Sequence, residues 1–232
     1  ANLDAFVYSK EKAIPVQERA ALDQWILSKL QSLILEVEGA MDGYDATKAT
    51  RAIQNFTVDQ LSNWYVRLAR KRFWRGDMQA DKQAAYETLY ECLFTLSQLM
   101  SSFAPFYADW LYKNLTEAGE QSLESVHLTD WKTANLSLIN PDLETSMDLA
   151  QTISSLVHSL RKKEKMKVRQ PLQRILVPVL SEKFKAQVAH VAELIKTEVN
   201  IKEIEYLDDA SGILVKQIKP NLPLLGKKLG PK

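Results

Sequence analysis

The residue types best suited to chemistry lie between Asn63 and Trp74, where Arg67, Arg70, Lys71 and Arg72, followed by Arg75, share one predicted helix with Trp64, Tyr65 and Trp74. At about 100° per residue, Leu61, Trp64, Tyr65 and Leu68 fall on one side of that helix. Asn63, Arg67, Arg70, Lys71 and Trp74 gather on the other. The first face builds a core. The second has the chemistry of a nucleic-acid contact: guanidinium groups pair bidentately with phosphate oxygens, and an exposed indole is a stacking surface for an unpaired base. The plainer alternative is that the basic face is only solvated surface and that Trp64 and Tyr65 are core residues.

Other constellations carry less. His127, His158 and His190 are far apart, with no partner at ligand spacing, so no metal site is expected. The chain has no glycine-rich phosphate loop, no nucleophile elbow, and neither a HIGH nor a KMSKS segment. Asp208-Asp209, before Ala210-Ser211-Gly212, reads as a turn and not as an acid-base pair. Arg161, Lys162, Lys163, Lys165, Lys167 and Arg169 crowd around a single Glu164. That run suits a phosphate track, and it equally suits a helix end whose dipole favours cations. No catalytic residue is assigned.

The elements that must position these groups are mostly helices. Leu22, Trp25, Ile26, Leu30, Leu33, Ile34 and Val37 recur at three- and four-residue steps, with an exit marked by Gly39 and Gly43. A second helix is capped near Asp45 and runs to about Trp74, with a potential break at Thr57-Val58. Unbroken, it spans about 30 residues and roughly 45 Å, comparable to a short RNA stem-loop. A third starts at Asp81 with Ala85, Leu89, Leu93, Leu96 and Met100 as its buried stripe. Pro105 then opens a shorter helix that buries Phe106, Trp110 and Leu111 and ends near Leu115. The acidic, aperiodic stretch from Gly119 to Asn140 reads as a surface excursion, after which Asn140-Pro141 starts a helix leading into the basic run. Beyond it come a strand at Arg174 to Leu180, a helix at Glu182 to Val199, and strands at Ile201 to Leu207 and Ile213 to Ile218. The predicted fold is mainly α: an antiparallel helical bundle followed by a small α+β module of β-α-β-β order. Its parts are 1–17 as a linker, 18–140 as the bundle, 141–170 as a basic connecting helix, and 171–232 as the module with a mobile tail.

With 46% apolar and 25% charged residues the composition is that of a globular chain. A net charge of +1 means that any attraction for RNA arises from local asymmetry. Cys92 stands alone among apolar neighbours, which excludes an internal disulfide and points to a reducing compartment. No apolar run approaches the roughly 20 residues of a membrane span and no signal-peptide pattern opens the chain, so a cytoplasmic location and no membrane partner are expected. Ala1, without an initiating methionine, followed soon by Phe6-Val7-Tyr8, suits a piece of a longer polypeptide.

Asn63-Trp64-Tyr65-Val66-Arg67, continuing through Arg70-Lys71-Arg72-Phe73-Trp74, resembles the helical anticodon-binding domain of class I isoleucyl-tRNA synthetases. Glu18 to Leu30 resembles the first helix of that domain and Tyr44-Asp45-Ala46-Thr47-Lys48-Ala49 the start of the next. Phe103-Ala104-Pro105-Phe106, Ser125-Val126-His127-Leu128, Val168-Arg169-Gln170-Pro171-Leu172 and Lys219-Pro220-Asn221 follow in order. Leu68 and Ala69 depart from it, standing where a further Arg and a Ser would be expected. The resemblance implies a bundle of the class I synthetase anticodon-binding type that holds the anticodon stem-loop of isoleucine tRNA, with no cofactor of its own. In the intact ligase, ATP and Mg would act in a catalytic domain of the same polypeptide. Arg67, Arg70 and Lys71 would then anchor phosphates and Asn63 and Trp74 reach bases. Arg19 and Lys29 would be lesser contacts, and Lys162, Lys163, Lys165, Lys167 and Arg169 would continue the phosphate track. Arg72 points to the apolar side and suits a structural salt bridge or a contact with the catalytic domain. Two alternatives stay open: a valyl or other class I synthetase domain, and a helical module that binds acidic partners.

Overall fold

The computed structural model describes residues 6–74, 76–117, 123–179 and 181–207. The chain divides into two compact units, 1–147 and 148–232. The division falls inside the connecting helix and not at its start. Arg75, the predicted third strand and the C-terminal tail lie outside the described residues.

In the first unit, α1 (Ala21–Asp42) is buried over most of its circumference: Trp25, Ile26, Leu27, Leu30, Leu33, Ile34 and Val37 are joined by Asp23, Ser28 and Gln31. It packs against α2 and α4, which makes it the central helix. It runs through Gly39, since one interior glycine costs only about 1 kcal/mol and the flanking residues are held by packing. Termination comes at Tyr44. The amide of Asp45 donates to Ala40 O (2.8 Å) and that of Tyr44 to Met41 O (2.9 Å), a Schellman closure with Tyr44 left-handed at φ 57°. Glycine fills such a position without steric cost; a residue with a Cβ is disfavoured there by about 1 kcal/mol.

Asp45 caps α2 (Ala46–Asn55) by accepting from the Lys48 amide at 2.8 Å. No break follows. The backbone continues through a π-helical stretch (Phe56–Val66) into α3 (Arg67–Phe73), so the feature foreseen at Thr57-Val58 is a change of winding. The wider turn has a packing consequence. Phe56 and Leu61, five residues apart, would sit about 140° apart on an α-helix, yet both are buried.

Helix α4 (Ala80–Met100) buries Ala84, Ala85, Thr88, Cys92, Thr95, Leu96 and Leu99, while Leu89, Leu93 and Met100 of the predicted stripe are only half-buried. The inward face is rotated toward small and polar residues because α4 packs on α1, α3 and α5 at once. Burial pushes the Cys92 thiol well above its usual pKa. Along α4, Phe6 stacks on Tyr86 (5.2 Å between centroids), Tyr8 on Tyr90 (4.2 Å), and Tyr90 on Phe94 (5.9 Å). The described part of the stretch read as a linker is thus packed against the bundle.

Helix α5 (Pro105–Thr116) corrects another expectation. It buries Ala108, Tyr112 and Thr116 against Val126, whereas Phe106 is 91% and Trp110 57% exposed. The following excursion is pinned along its length: Ser125 and the Val126 amide donate to Asp109, Gln98 donates to Thr129 and Asp130 O, and Gln31 accepts from the Asn135 amide at 2.9 Å. Asn140 caps α6 (Pro141–Lys163) through the Leu143 amide, with Pro141 in the first helical position.

In the second unit, β1 (Leu172–Pro178) and β2 (Ile201–Leu207) pair in parallel, in register from Leu172↔Ile201 to Pro178↔Leu207. The crossover is helical, as the pattern predicts, but breaks at Val191 into α7 (Glu182–His190) and α8 (Ala192–Val199). Val177, Val188, Ile195, Val199, Ile201 and Leu207 are buried in this unit.

Candidate nucleic-acid interface

The surface with the strongest combination of charge and aromatic rings is the outer face of the π-helical stretch and α3. Asn63, Arg67, Arg70, Lys71 and Trp74 are exposed, while Leu61, Trp64, Tyr65 and Ala69 are buried behind them and Leu68 is half-buried. The two-sided pattern of the sequence is therefore realised in three dimensions. Arg67 Nε donates to Asn63 O at 2.8 Å, and its guanidinium lies 5.4 Å from the centroid of Trp64. The Arg70 guanidinium lies 5.7 Å from the centroid of Trp74, an indole that is 78% exposed. Each pair holds a cation against a π face through a weak attraction, which reduces the rotamer freedom lost when an anion arrives.

The face is fixed from behind by Asp23, which is fully buried on α1. It accepts from the Tyr65 hydroxyl (2.7 Å) and from both terminal nitrogens of Arg72 (2.8 and 2.7 Å). Arg72 also donates to Asp81 O at 2.8 Å. Its Nε lies 2.9 Å from Asp81 Oδ1 with its N–H directed off that oxygen, so this contact is coulombic. Burial, then the charge and hydrogen bond of Asp23, push the Tyr65 hydroxyl well above its ordinary pKa, so it is a proton donor at neutral pH. The inward-pointing arginine, for which the sequence left open a structural salt bridge or a contact with the catalytic domain, clamps α3 to α1.

Two lesser candidates are placed differently from the RNA contacts expected of them. Arg19 is buried: its guanidinium donates to Ile14 O (2.9 Å), Thr88 Oγ1 (2.9 Å) and Glu91 Oε1 (2.8 Å), with Glu87 Oε2 at 3.5 Å. Its charge is consumed in tying the N-terminal segment to α4, so it is a structural residue and not a phosphate contact. Lys29 is half-buried, with Nζ 3.5 Å from Glu144 Oε2. It borders a groove of about 420 Å³ between α1 and α2 that is also lined by Glu36, Lys48, Arg51, Asn55 and Gln60. The sequence pattern did not single out Lys48, Arg51 and Asn55 as a set. Their three- and four-residue spacing after the Asp45 cap was the available signal.

In the second unit, Lys162, Lys163, Lys165, Lys167 and Arg169 are all exposed. Arg161, counted in the same basic run, is buried and donates to the carbonyls of Lys167, Gln170, Val199 and Asn200. Helix α6 closes with Met166 N bonded to Arg161 O at 2.8 Å and Lys165 left-handed at φ 54°. Lys162 and Lys163 thus lie in the last turn, where the helix dipole favours them, and Lys165, Lys167 and Arg169 lie beyond it.

The sequence has no glycine-rich phosphate loop, and among the described residues no group of three or more His, Cys, Asp or Glu could hold a metal ion. No described helix is long and apolar enough to cross a membrane.

Comparison with known proteins shows the family of the chain. Residues 23–176, from within α1 to within β1, match the family described as the anticodon-binding domain of tRNA ligase. The chain is 54% identical over its whole length to an isoleucine-tRNA ligase of Cytophaga hutchinsonii. It is 48% identical over 99% of its length to that of Bacteroides thetaiotaomicron, and 42% identical over 92% to that of Chlamydia trachomatis. It spans 21% of the first relative and 20% of the other two. With a helical bundle of the expected kind and a family match over more than half its length, the chain belongs to the family of anticodon-binding domains of tRNA ligases.

Proposed function

We propose that this chain binds the anticodon stem-loop of isoleucine tRNA as the recognition part of an isoleucine-tRNA ligase, whose ATP-dependent charging reaction takes place in a different domain of the polypeptide. The observation that carries the reading is the exposed set Asn63, Arg67, Arg70, Lys71 and Trp74 over a buried Leu61, Trp64 and Tyr65. Arg67, Arg70 and Lys71 supply three cations for consecutive phosphates, a sequence-independent attraction that sets register on the RNA. Trp74 presents a ring to which an unpaired loop base adds by stacking, and the Asn63 amide offers both a donor and an acceptor to a base edge. Within the second unit, the exposed Lys162, Lys163, Lys165, Lys167 and Arg169 form a further cationic surface suited to phosphate. The choice of isoleucine tRNA is supported by the names of the relatives, and a cytoplasmic location follows as the site of that reaction.

The test is binding of the chain to isoleucine tRNA and to the same tRNA with a changed anticodon, at one fixed salt concentration. Distinctly weaker binding of the changed tRNA is expected. Equal binding of the two would reduce the interaction to charge alone and overturn anticodon recognition by this chain.

A further inference from the structure

Tyr44 is an aromatic residue that the fold does not use. It occupies the left-handed closing position of α1 at φ 57°, where glycine is favoured, and its side chain is 97% exposed, so its ring gains no packing in return for the strain. It immediately precedes Asp45, which caps α2 and lines the groove of about 420 Å³ between α1 and α2. That volume is within the range of small-ligand pockets. Lys48, Arg51 and Asn55 follow at steps of three and four along the groove side of α2 and are exposed. Among the described residues neither Lys48 nor Arg51 forms an ion pair. Gln60, half-buried, adds a second amide to the lining.

We infer that the α1–α2 groove is a subsite for one unpaired base of the bound RNA loop, with Tyr44 as its stacking platform. Lys48 and Arg51 take the flanking phosphates. The amides of Asn55 and Gln60, each carrying both donors and an acceptor, meet the base edge, a complement that a purely electrostatic site would not need. The groove lies on the same continuous α2–π–α3 rod as Arg67, Arg70 and Trp74, in the same unit. This subsite rests on the stem-loop reading above.

The deciding variant is Tyr44→Gly, because strain and binding predict opposite signs. Glycine relieves the left-handed strain, so thermal unfolding stays at the same temperature or moves higher, while affinity for the isoleucine anticodon stem-loop falls by about 5- to 150-fold, the range of a lost base–aromatic stack. Tyr44→Phe keeps the ring and binds as the parent does. Stem-loops carrying 2-aminopurine at successive loop positions report the partner base: quenching at one position on binding disappears in Tyr44→Gly and persists in Tyr44→Phe. If the parent chain discriminates anticodons but Tyr44→Gly binds equally well, the subsite is overturned and the stem-loop reading stands. If the parent shows no discrimination, both fall. A lower melting temperature for Tyr44→Gly would overturn the subsite by showing that the ring serves the fold.

Discussion

Removing either end of the Asp23–Arg72 clamp should be costly, and unequally so. Arg72→Ala strands a fully buried carboxylate whose remaining hydrogen bond comes from the Tyr65 hydroxyl at 2.7 Å, and removing one partner of such a pair costs about 3 to 5 kcal/mol. Asp23→Ala is milder. The Arg72 side chain is 13% exposed and keeps Asp81 O at 2.8 Å and the Asp81 carboxylate at 2.9 Å, while the Tyr65 hydroxyl keeps Ala85 O at 3.3 Å. Its loss should be about 2 to 3 kcal/mol. The double variant should cost about 2 kcal/mol less than the sum, because the carboxylate that needs Arg72 is gone. All five tryptophans lie between residues 25 and 131, so urea unfolding followed by tryptophan fluorescence reports the helical unit alone. Additivity within about 0.5 kcal/mol, or losses below about 1 kcal/mol for both single variants, would refute the clamp. RNA binding gives a second check. If Arg72 touched phosphate, Asp23→Ala would loosen a guanidinium for RNA and strengthen binding; if it holds α3, binding weakens.

Trp74→Ala should weaken binding of the anticodon stem-loop by about 1 to 3 kcal/mol in a fluorescence titration if its exposed ring stacks on a base, and an unchanged affinity would remove it from the interface. Arg70→Ala should weaken binding to all RNA sequences alike and flatten the dependence of log K on log salt by about 0.7 to 0.9, whereas an unchanged slope would make Arg70 a solvated residue. Arg161→Ala removes a side-chain donor from the carbonyls of Lys167, Gln170, Val199 and Asn200, of which Lys167 and Asn200 still accept from the Gln170 and Leu172 amides. It should destabilise the second unit by about 2 to 4 kcal/mol, read as faster amide exchange in β1 and β2. Asp109 is held at about 2, against an ordinary 3.8, by hydrogen bonds from Lys113, Ser125 and the Val126 amide. The stability it contributes is complete above its unfolded pKa and is lost as pH falls from about 4 to about 2, so Asp109→Asn should flatten the acid side of the unfolding profile in that window.

Local chemistry and periodicity were enough to read several elements directly from the sequence. The cap at Asp45, the start at Asn140-Pro141, the parallel-compatible strand–helix–strand order and the two-sided helix through Arg67 and Arg70 each depend on residues within a few turns of one another. The inward direction of Arg72 was also legible, because helical geometry placed it with the apolar residues. Partners far apart in sequence became visible only in the folded chain. Arg19 looked like a surface cation, yet contacts to Thr88, Glu87 and Glu91 about 70 positions away bury it. Arg161 looked like a member of a basic run until the turn before β1 and the end of α8 supplied four carbonyls for it. The inner face of α4 could not be read from leucine spacing, since a helix packed on three others buries small and polar residues where backbones approach closely. The π winding that places Phe56 and Leu61 on one side, and the exposure of Phe106 and Trp110, depend likewise on which helices press from which direction. That information is held by the packed assembly and by no single segment of the chain.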